Sequence, residues 1–271
     1  MLTRNQQRKM SKKEAARMGG LARQRIHGDL GTIAGRRKGG LNSLATHARL
    51  DTRFKRLRSV RVPRQSALLA ELLGTLSGDG HVDAYQTTLT TNSKTDIEHA
   101  LHVSRMFKKL FGIRAHPTKR KKQNACVVVI SSKMICDFLV NKGMVRGNKI
   151  ANKINMPEWV LQSTMFRRAF TRGLFDTDGS VYVDTHRIRG RTYRNLCMVF
   201  SNKAEGLLWA FKRTVEELGL RPTQKTSFEV FLRREKDIRR YFNEIGSSNP
   251  KHTRKVLRFF SLKNRRGVRV V

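Results

Sequence analysis

The sequence predicts an α+β fold built as two repeated halves behind a basic leading segment. Three observations lead there. Between residues 66 and 245 the apolar patterning runs helix–strand–strand–helix–strand–strand–helix, and then runs it again. Two short motifs, LLGTLSGDG at 72–80 and TRGLFDTDG at 171–179, recur at an offset of 99 residues. The first 64 residues differ from the rest, with 18 lysines and arginines against three acids and few, mostly small, apolar residues. The expected organisation is a basic arm at 1–64, a first unit at 65–156, a second at 157–260 and a basic tail at 261–271.

Composition limits the function classes. Among 271 residues there are 57 Lys plus Arg and 20 Asp plus Glu, a formal charge of +37. Such a surplus repels itself unless a polyanion neutralises it, which points to nucleic acid. No apolar run approaches the ~20 residues of a membrane helix. The start, MLTRNQQRKMSKK, is charged without an apolar stretch, so no secretory signal is expected. The location expected is the cytoplasm, or an organellar matrix in a eukaryotic host. Cys126, Cys136 and Cys197 are odd in number and far apart. They suit reduced core positions better than a disulfide framework or a zinc site.

The elements follow in order. In the leading segment, Gly19-Gly20 and Gly39-Gly40 each follow a short basic stretch. They are expected to stop two short helices. Ser66 is placed to cap a helix over 67–78. Strands are expected at 81–85 and 87–91, a helix at 95–110, strands at 114–120 and 125–130, and a short helix at 132–141. The second copy reads as one helix over 157–177, strands at 180–184 and 196–200, and a helix at 203–218 stopped by Gly219. Strands at 221–226 and 228–232 and a helix at 235–245 stopped by Gly246 complete it.

The chemistry lies at the ends of the two motif helices. Ala70, Gly74 and Gly78 recur every four residues, as do Ala169, Gly173 and Thr177. Each helix therefore carries a stripe of small residues that lets a second helix approach closely. Asp79 and Asp178 follow at the helix C-termini, where the partial charge is already negative. Packing the stripes together brings two carboxylates and two sets of free carbonyls to one place. A hard divalent cation turns that cost into binding. Mg²⁺ fits such oxygen ligands, with Mn²⁺ as a substitute. Beside so basic a chain, this points to phosphodiester cleavage.

These two motifs resemble those of the single-chain LAGLIDADG homing endonucleases, over roughly residues 66–260. The resemblance implies two pseudo-twofold-related αββαββα units, saddle-shaped antiparallel sheets across DNA and a central two-helix interface. It also implies metal binding by Asp79 and Asp178 with the carbonyls of Gly78 and Thr177. It implies a lysine in each half near the scissile phosphates. Lys149 and Lys251, at an offset of 102, stand in matching places. Asn92 and Ser201, with Ser93 and Asn202 one residue on, are candidates to hold a water nearby. The first motif departs from the pattern with Ser77 where the second has Asp176.

Alternate strand residues are expected to face the DNA. In the first half the candidates are His81, Asp83, Tyr85, Thr88, Thr90, Lys119, Lys121 and Gln123. In the second they are Tyr182, Asp184, Arg187, Arg189, Arg191, Lys225 and Arg233, and Arg36, Arg37 and Lys38 are expected to contact DNA from the arm. The resemblance implies a monomer acting on double-stranded DNA, with intron RNA as a further partner. The rival reading is a binder that does not cut, such as an RNA splicing cofactor or a DNA-binding regulator. Residues 175–181 also resemble the first motif of haloacid-dehalogenase-type phosphatases. There the motif ends a buried strand, whereas residues 166–172 have helical spacing and three arginines.

Overall fold

The computed structural model describes residues 11–27, 32–50, 60–121 and 123–265. Parts of the expected arm (1–10, 28–31 and 51–59) and of the expected tail (266–271) lie outside the described residues. The chain divides into two compact units, Met1–Leu57 and Arg58–Val271.

The N-terminal unit has two helices, α1 (Lys12–His27) and α2 (Ile33–Arg49). Ser11 and Glu14 form a reciprocal capping box at the start of α1: the Ser11 N–H donates to Glu14 Oε2 at 3.0 Å, and the Glu14 N–H donates to Ser11 Oγ at 3.2 Å. Thr32 Oγ1 accepts from the Gly35 N–H at 3.1 Å and caps α2. Both helices run straight through their glycine pairs, which corrects the expected stops. A glycine stop needs a left-handed backbone, and among the described residues the positive-φ glycines are Gly112, Gly143, Gly147, Gly190, Gly219 and Gly246. Helix formers on both sides carry the hydrogen-bond ladder across Gly19-Gly20 and Gly39-Gly40. Helix α2 buries none of its residues; Arg36, Arg37 and Lys38 are exposed on it.

The larger unit repeats one order twice. The first half is α3 (Ala67–Gly78), β1 (Gly80–Val82), β2 (Gln86–Asn92), α4 (Ile97–Phe111), β3 (Thr118–Lys119), β4 (Ala125–Ser131) and α5 (Lys133–Asn141). A single turn, α6 (Glu158–Leu161), leads into the second half. That half is α7 (Thr164–Asp178), β5 (Gly179–Ile188), β6 (Arg191–Ser201), α8 (Glu205–Glu217), β7 (Thr223–Thr226), β8 (Glu229–Leu232) and α9 (Glu235–Glu244), and α10 (Pro250–Arg265) follows it. Each half has a four-stranded antiparallel sheet, ordered β1-β2-β4-β3 and β5-β6-β8-β7. One apolar core runs through both halves.

Most elements lie where the apolar pattern puts them. Ser66 Oγ accepts from the Leu69 N–H at 3.3 Å and starts α3 where expected. Gly219 and Gly246, with φ of 69° and 77°, follow the ends of α8 and α9 as expected. Four differences stand out. The helix expected over 157–177 is broken. Trp159 Nε1 donates to the Lys142 carbonyl at 3.0 Å and its ring meets Phe166 edge-on, so the chain turns at extended Ser163. The strand expected at 114–120 pairs only at Thr118 and Lys119. Strands β5 and β6 extend well past the apolar stretch into a polar ribbon. It closes through Arg189 and Gly190, both at positive φ, with His186 stacked on Tyr193. Helix α10 is additional to the expected elements; its buried apolar side chains Val256 and Phe260 are spaced four residues apart among basic ones.

Helices α3 and α7 pack along their small-residue stripes. A Cβ on Gly74 would collide with the Phe170 carbonyl, and one on Gly173 with the Glu71 carbonyl. Ala70 and Ala169 are buried in the same seam. A second lock crosses it. Buried Glu71 Oε2 accepts from Arg172 at 2.6 and 3.1 Å, while Oε1 lies 2.8 Å from His102 Nε2 and 2.6 Å from Ser248 Oγ. Burial pushes the Glu71 pKa up, but the His102 hydrogen bond and the Arg172 charge outweigh it and hold it at about 2. The departure at Ser77 is accommodated locally. Ser77 Oγ meets Met144 Sδ at 3.6 Å, whereas Asp176 accepts from Ser247 Oγ and from the Ser248 N–H at 2.9 Å.

Gly74→Ala or Gly173→Ala is expected to lower stability by ~2–3 kcal/mol, because backbone rather than a yielding side chain stands in the way. Gly20→Ala, with open space around it, is expected to strengthen its helix by ~1 kcal/mol. Denaturant midpoints check the first pair, and helical circular dichroism checks the last. Equal effects at all three positions would contradict the close approach.

Candidate active site

The two stripes end together, and so do the acids that follow them. Asp79 is the C-cap of α3, its N–H donating to the Leu76 carbonyl; Asp178 is the last residue of α7. A Cβ on Gly78 would collide with Thr177 and stand 2.9 Å from Asp178 Oδ2. Only glycine at 78 lets the two tips meet. Thr177 turns its hydroxyl back into α7, donating to the Leu174 carbonyl at 2.9 Å.

The electrostatics show the cost of this arrangement. Burial pushes the Asp178 pKa up, and the negative charge of Asp79 adds to it. The Asn202 hydrogen bond and the Lys149 charge oppose the rise, and the balance stands at about 7. Asp79 is open to solvent on one side. Loss of hydration beside the helix ends still raises its pKa, against the pull of Lys149 and Lys251. Both acids therefore sit where negative charge is unwelcome unless a cation comes in.

Both expected lysines are in this neighbourhood, in different settings. Lys149 Nζ donates to the carbonyls of Leu76 at 3.4 Å, Ser77 at 2.9 Å and Gly78. A cation thus already rests on the carbonyls at the end of α3. Burial lowers the Lys149 pKa while Asp178 and Asp79 raise it. Lys251, in the first turn of α10, places Nζ 2.6 Å from Asp96 Oδ1. Asn249, wholly buried, donates to Asp96 Oδ1 at 2.6 Å and to the Asp176 carbonyl at 3.1 Å.

The expected strand-end residues divide. Asn92 turns its amide oxygen to the N–H groups of Lys94 and Thr95, at 2.8 and 3.2 Å, and so serves the turn after β2. Ser201 pairs with Glu229 in the sheet. It is Asn202, one residue on, whose Nδ2 donates to Asp178 Oδ2 at 2.7 Å. The reason for the shift is that β6 continues through Ser201 before the chain turns.

The hard oxygen donors suit a divalent cation: two carboxylates with raised pKa values and the carbonyls at the ends of α3 and α7. Among the described residues, no group of three or more His, Cys, Asp or Glu side chains converges as a closed metal cage. A cation here would keep positions for water or substrate oxygens, as Mg²⁺ commonly does.

The sheet candidates are exposed or half-exposed, but register separates them by face. His81 pairs with Thr88, and Thr88 with Val129, on the face away from the core. Thr90 shares that face. Lys119 pairs with buried Cys126 and so belongs to the opposite face, which corrects its assignment; Thr118 takes the outer position. Asp83 and Tyr85 lie in the turn between β1 and β2, and Lys121 and Gln123 in the loop between β3 and β4. In the second half Tyr182, Asp184 and Arg191 share the outer face with His186 and Tyr193. Arg187 pairs with Thr192 on the other face, because β5 runs unbroken to Ile188 and alternation carries through. Arg189 is in the turn, Lys225 sits at a register shift in β7, and Arg233 stacks over Phe231.

Stability should carry the mark of the half-buried acid Asp178. The folded-state pKa of Asp178 is above the ordinary value, so its ionisation opposes folding as pH rises from about 4 to about 7. In metal-free buffer Asp178→Asn is expected to be more stable than the parent by ~2 kcal/mol at pH 8 and equal to it at pH 4. Denaturant unfolding at the two pH values checks this. A variant less stable at pH 8 would contradict it.

Residues 165–246 match the family model of the LAGLIDADG-like domain. The replication factor C small subunit of Methanocaldococcus jannaschii is 26% identical over 202 residues, covering 72% of this chain. The match spans 10% of that much longer protein. A double mutant of I-SmaMI superposes with a TM-score of 0.51 at 9% identity, covering 73% of this chain and 92% of its own. I-DmoI, solved with DNA and Mn, gives 0.43 at 18% identity, covering 67% and 97%. Full-length WhiA from Thermatoga maritima gives 0.47 at 15% identity, covering 78% and 64%. Among the described residues, no helix is long and apolar enough to cross a membrane. The chain thus carries a LAGLIDADG-like domain in its second half, and its paired αββαββα halves have the fold of the single-chain, two-motif homing endonucleases.

Proposed function

We propose that this protein is a site-specific DNA endonuclease of the homing type that cuts both strands of a long, asymmetric site. One observation carries the reading. Two carboxylates with raised pKa values are held together at the glycine-sealed tips of α3 and α7, with a lysine from each half beside them. A protein that only binds DNA gains nothing from crowding acids there.

The roles follow from the donors. Asp79 and Asp178, with the carbonyls of Gly78 and Thr177, would hold a divalent cation, Mg²⁺ with Mn²⁺ as a substitute. When bound, the cation supplies charge neutralisation at the phosphate and a more acidic water. Hydrolysis adds water oxygen to phosphorus and breaks one phosphorus–oxygen ester bond, and negative charge gathers on the phosphate in between. Lys149 and Lys251 would stabilise that charge. Asn202 orients the Asp178 carboxylate by its hydrogen bond. The polar outer faces of the two sheets would contact base edges, with Arg233 and Arg191 suited to guanine. The sheets differ in length and sequence, so the site they read is asymmetric, and both halves lie in one chain, so a monomer suffices. The helices of the N-terminal unit would add contacts to phosphate.

Two experiments test the reading. Supercoiled plasmids carrying a randomised insert are incubated with the protein and Mg²⁺, and linearised products are sequenced. The parent is expected to linearise a defined subset. Asp79→Asn and Asp178→Asn are each expected to lose double-strand cutting by at least ~100-fold while still binding that DNA. Full cutting by either variant would remove that acid from the site. Deleting residues 1–57 is expected to weaken binding to the selected duplex and to flatten its salt dependence, by ~0.9 in log–log slope for each phosphate that is no longer neutralised. An unchanged slope would take the N-terminal unit off the DNA.

A further inference from the structure

The two lysines of the candidate site are held differently, and a buried carboxylate makes the difference. Lys149 is held by carbonyls of its own half, at the end of α3. Lys251, from the second half, reaches across to Asp96 in the first, just before α4. Asp96 is 3% exposed and fully committed: Oδ1 takes the lysine and Asn249 Nδ2, both at 2.6 Å, and Oδ2 takes Thr95 Oγ1 at 2.6 Å. Asn249 also donates to the Asp176 carbonyl, two residues before Asp178. The clamp therefore ties Lys251 to the tip of α7.

Among the described residues, nothing equivalent occupies the other half. The position before α8 that corresponds to Asp96 is Ala204, which has no side-chain acceptor. The position that corresponds to Asn249, two residues before the lysine, is Gly147. Asp96 is not needed to cap α4, since its side chain makes no cap hydrogen bond there. A buried acid kept without a helix-capping role, and satisfied by a lysine from the opposite half, fits a positioning residue.

We infer that Asp96 is a positioning residue that fixes the Lys251 ammonium beside one scissile phosphate, and that its absence from the other half makes the two strands break at different rates. The inference rests on the nuclease reading for its consequence, but not for the clamp itself.

The test uses Asp96→Asn in the full chain, with two readouts. The first needs no DNA: the protein is treated with an amine-reactive acetyl ester, and modification of Lys251 is followed by peptide mass spectrometry. Asp96→Asn is expected to acetylate Lys251 about tenfold faster than the parent, the factor that goes with losing a charge-assisted hydrogen bond. Lys149 is expected to react at an unchanged rate. The second readout follows each strand of a cleaved plasmid separately. Asp96→Asn is expected to slow one strand about tenfold and spare the other, so that nicked circles accumulate. Lys251→Met is expected to impair the same strand. Unchanged acetylation of Lys251, or equal slowing of both strands, would overturn the assignment. Faster acetylation in a protein whose parent cuts no DNA would uphold the clamp and refute the nuclease reading and the strand bias with it. Melting curves keep folding separate, because a merely destabilised variant acetylates Lys149 and Lys251 faster together.

Discussion

The close approach of two helix backbones is the constraint from which the rest of this structure follows. Gly74 and Gly173 let α3 and α7 touch carbonyl to Cα, and Gly78 lets their ends converge. Burying that seam joins two αββαββα halves into one core. It also forces two acids and the negative ends of two helices into one neighbourhood, where each raises the energy of the others. Stability is thus spent at the tips and recovered along the shaft, where Glu71 and Arg172 pair across the same seam.

The seam gives the two sheets their roles. Each sheet covers the core with one face and turns polar residues outward on the other, as strict alternation requires. The second half extends this surface by a long ribbon, ending in the arginine-bearing turn at Arg189 and Gly190, that the first half lacks. A duplicated fold has therefore diverged in reach as well as in the setting of its two lysines.

Much of this is legible in the sequence, and for specific reasons. The repeat at offset 99, the small residues every four positions and the Ser66 cap are local signals, and each element they mark is present. The acids at the helix ends are legible because a motif fixes them. The glycine pairs at 19–20 and 39–40 mislead, since glycine stops a helix only when the backbone turns left-handed. The polar ribbon is hidden because neither face of it is buried, so no apolar alternation marks it. Lys119 and Arg187 lie on the face opposite to the expected one because a strand boundary off by a few residues breaks the count of alternation. Asp96, Asn249 and Glu71 act through partners 73, 153 or 177 residues away along the chain, and no local pattern announces such pairs.

The central claim is that the carboxylates of Asp79 and Asp178 share one field. A double-mutant cycle on stability measures that field directly, without metal or DNA. Asp79→Asn, Asp178→Asn and the double variant are unfolded in chelator at pH 8 and at pH 4. Mutual repulsion requires that the double gain less than the two single gains added together, by at least ~0.5 kcal/mol at pH 8, and that the shortfall vanish at pH 4. Additive gains at pH 8 would mean that the acids do not sense each other, and the shared cation site would be lost with that result.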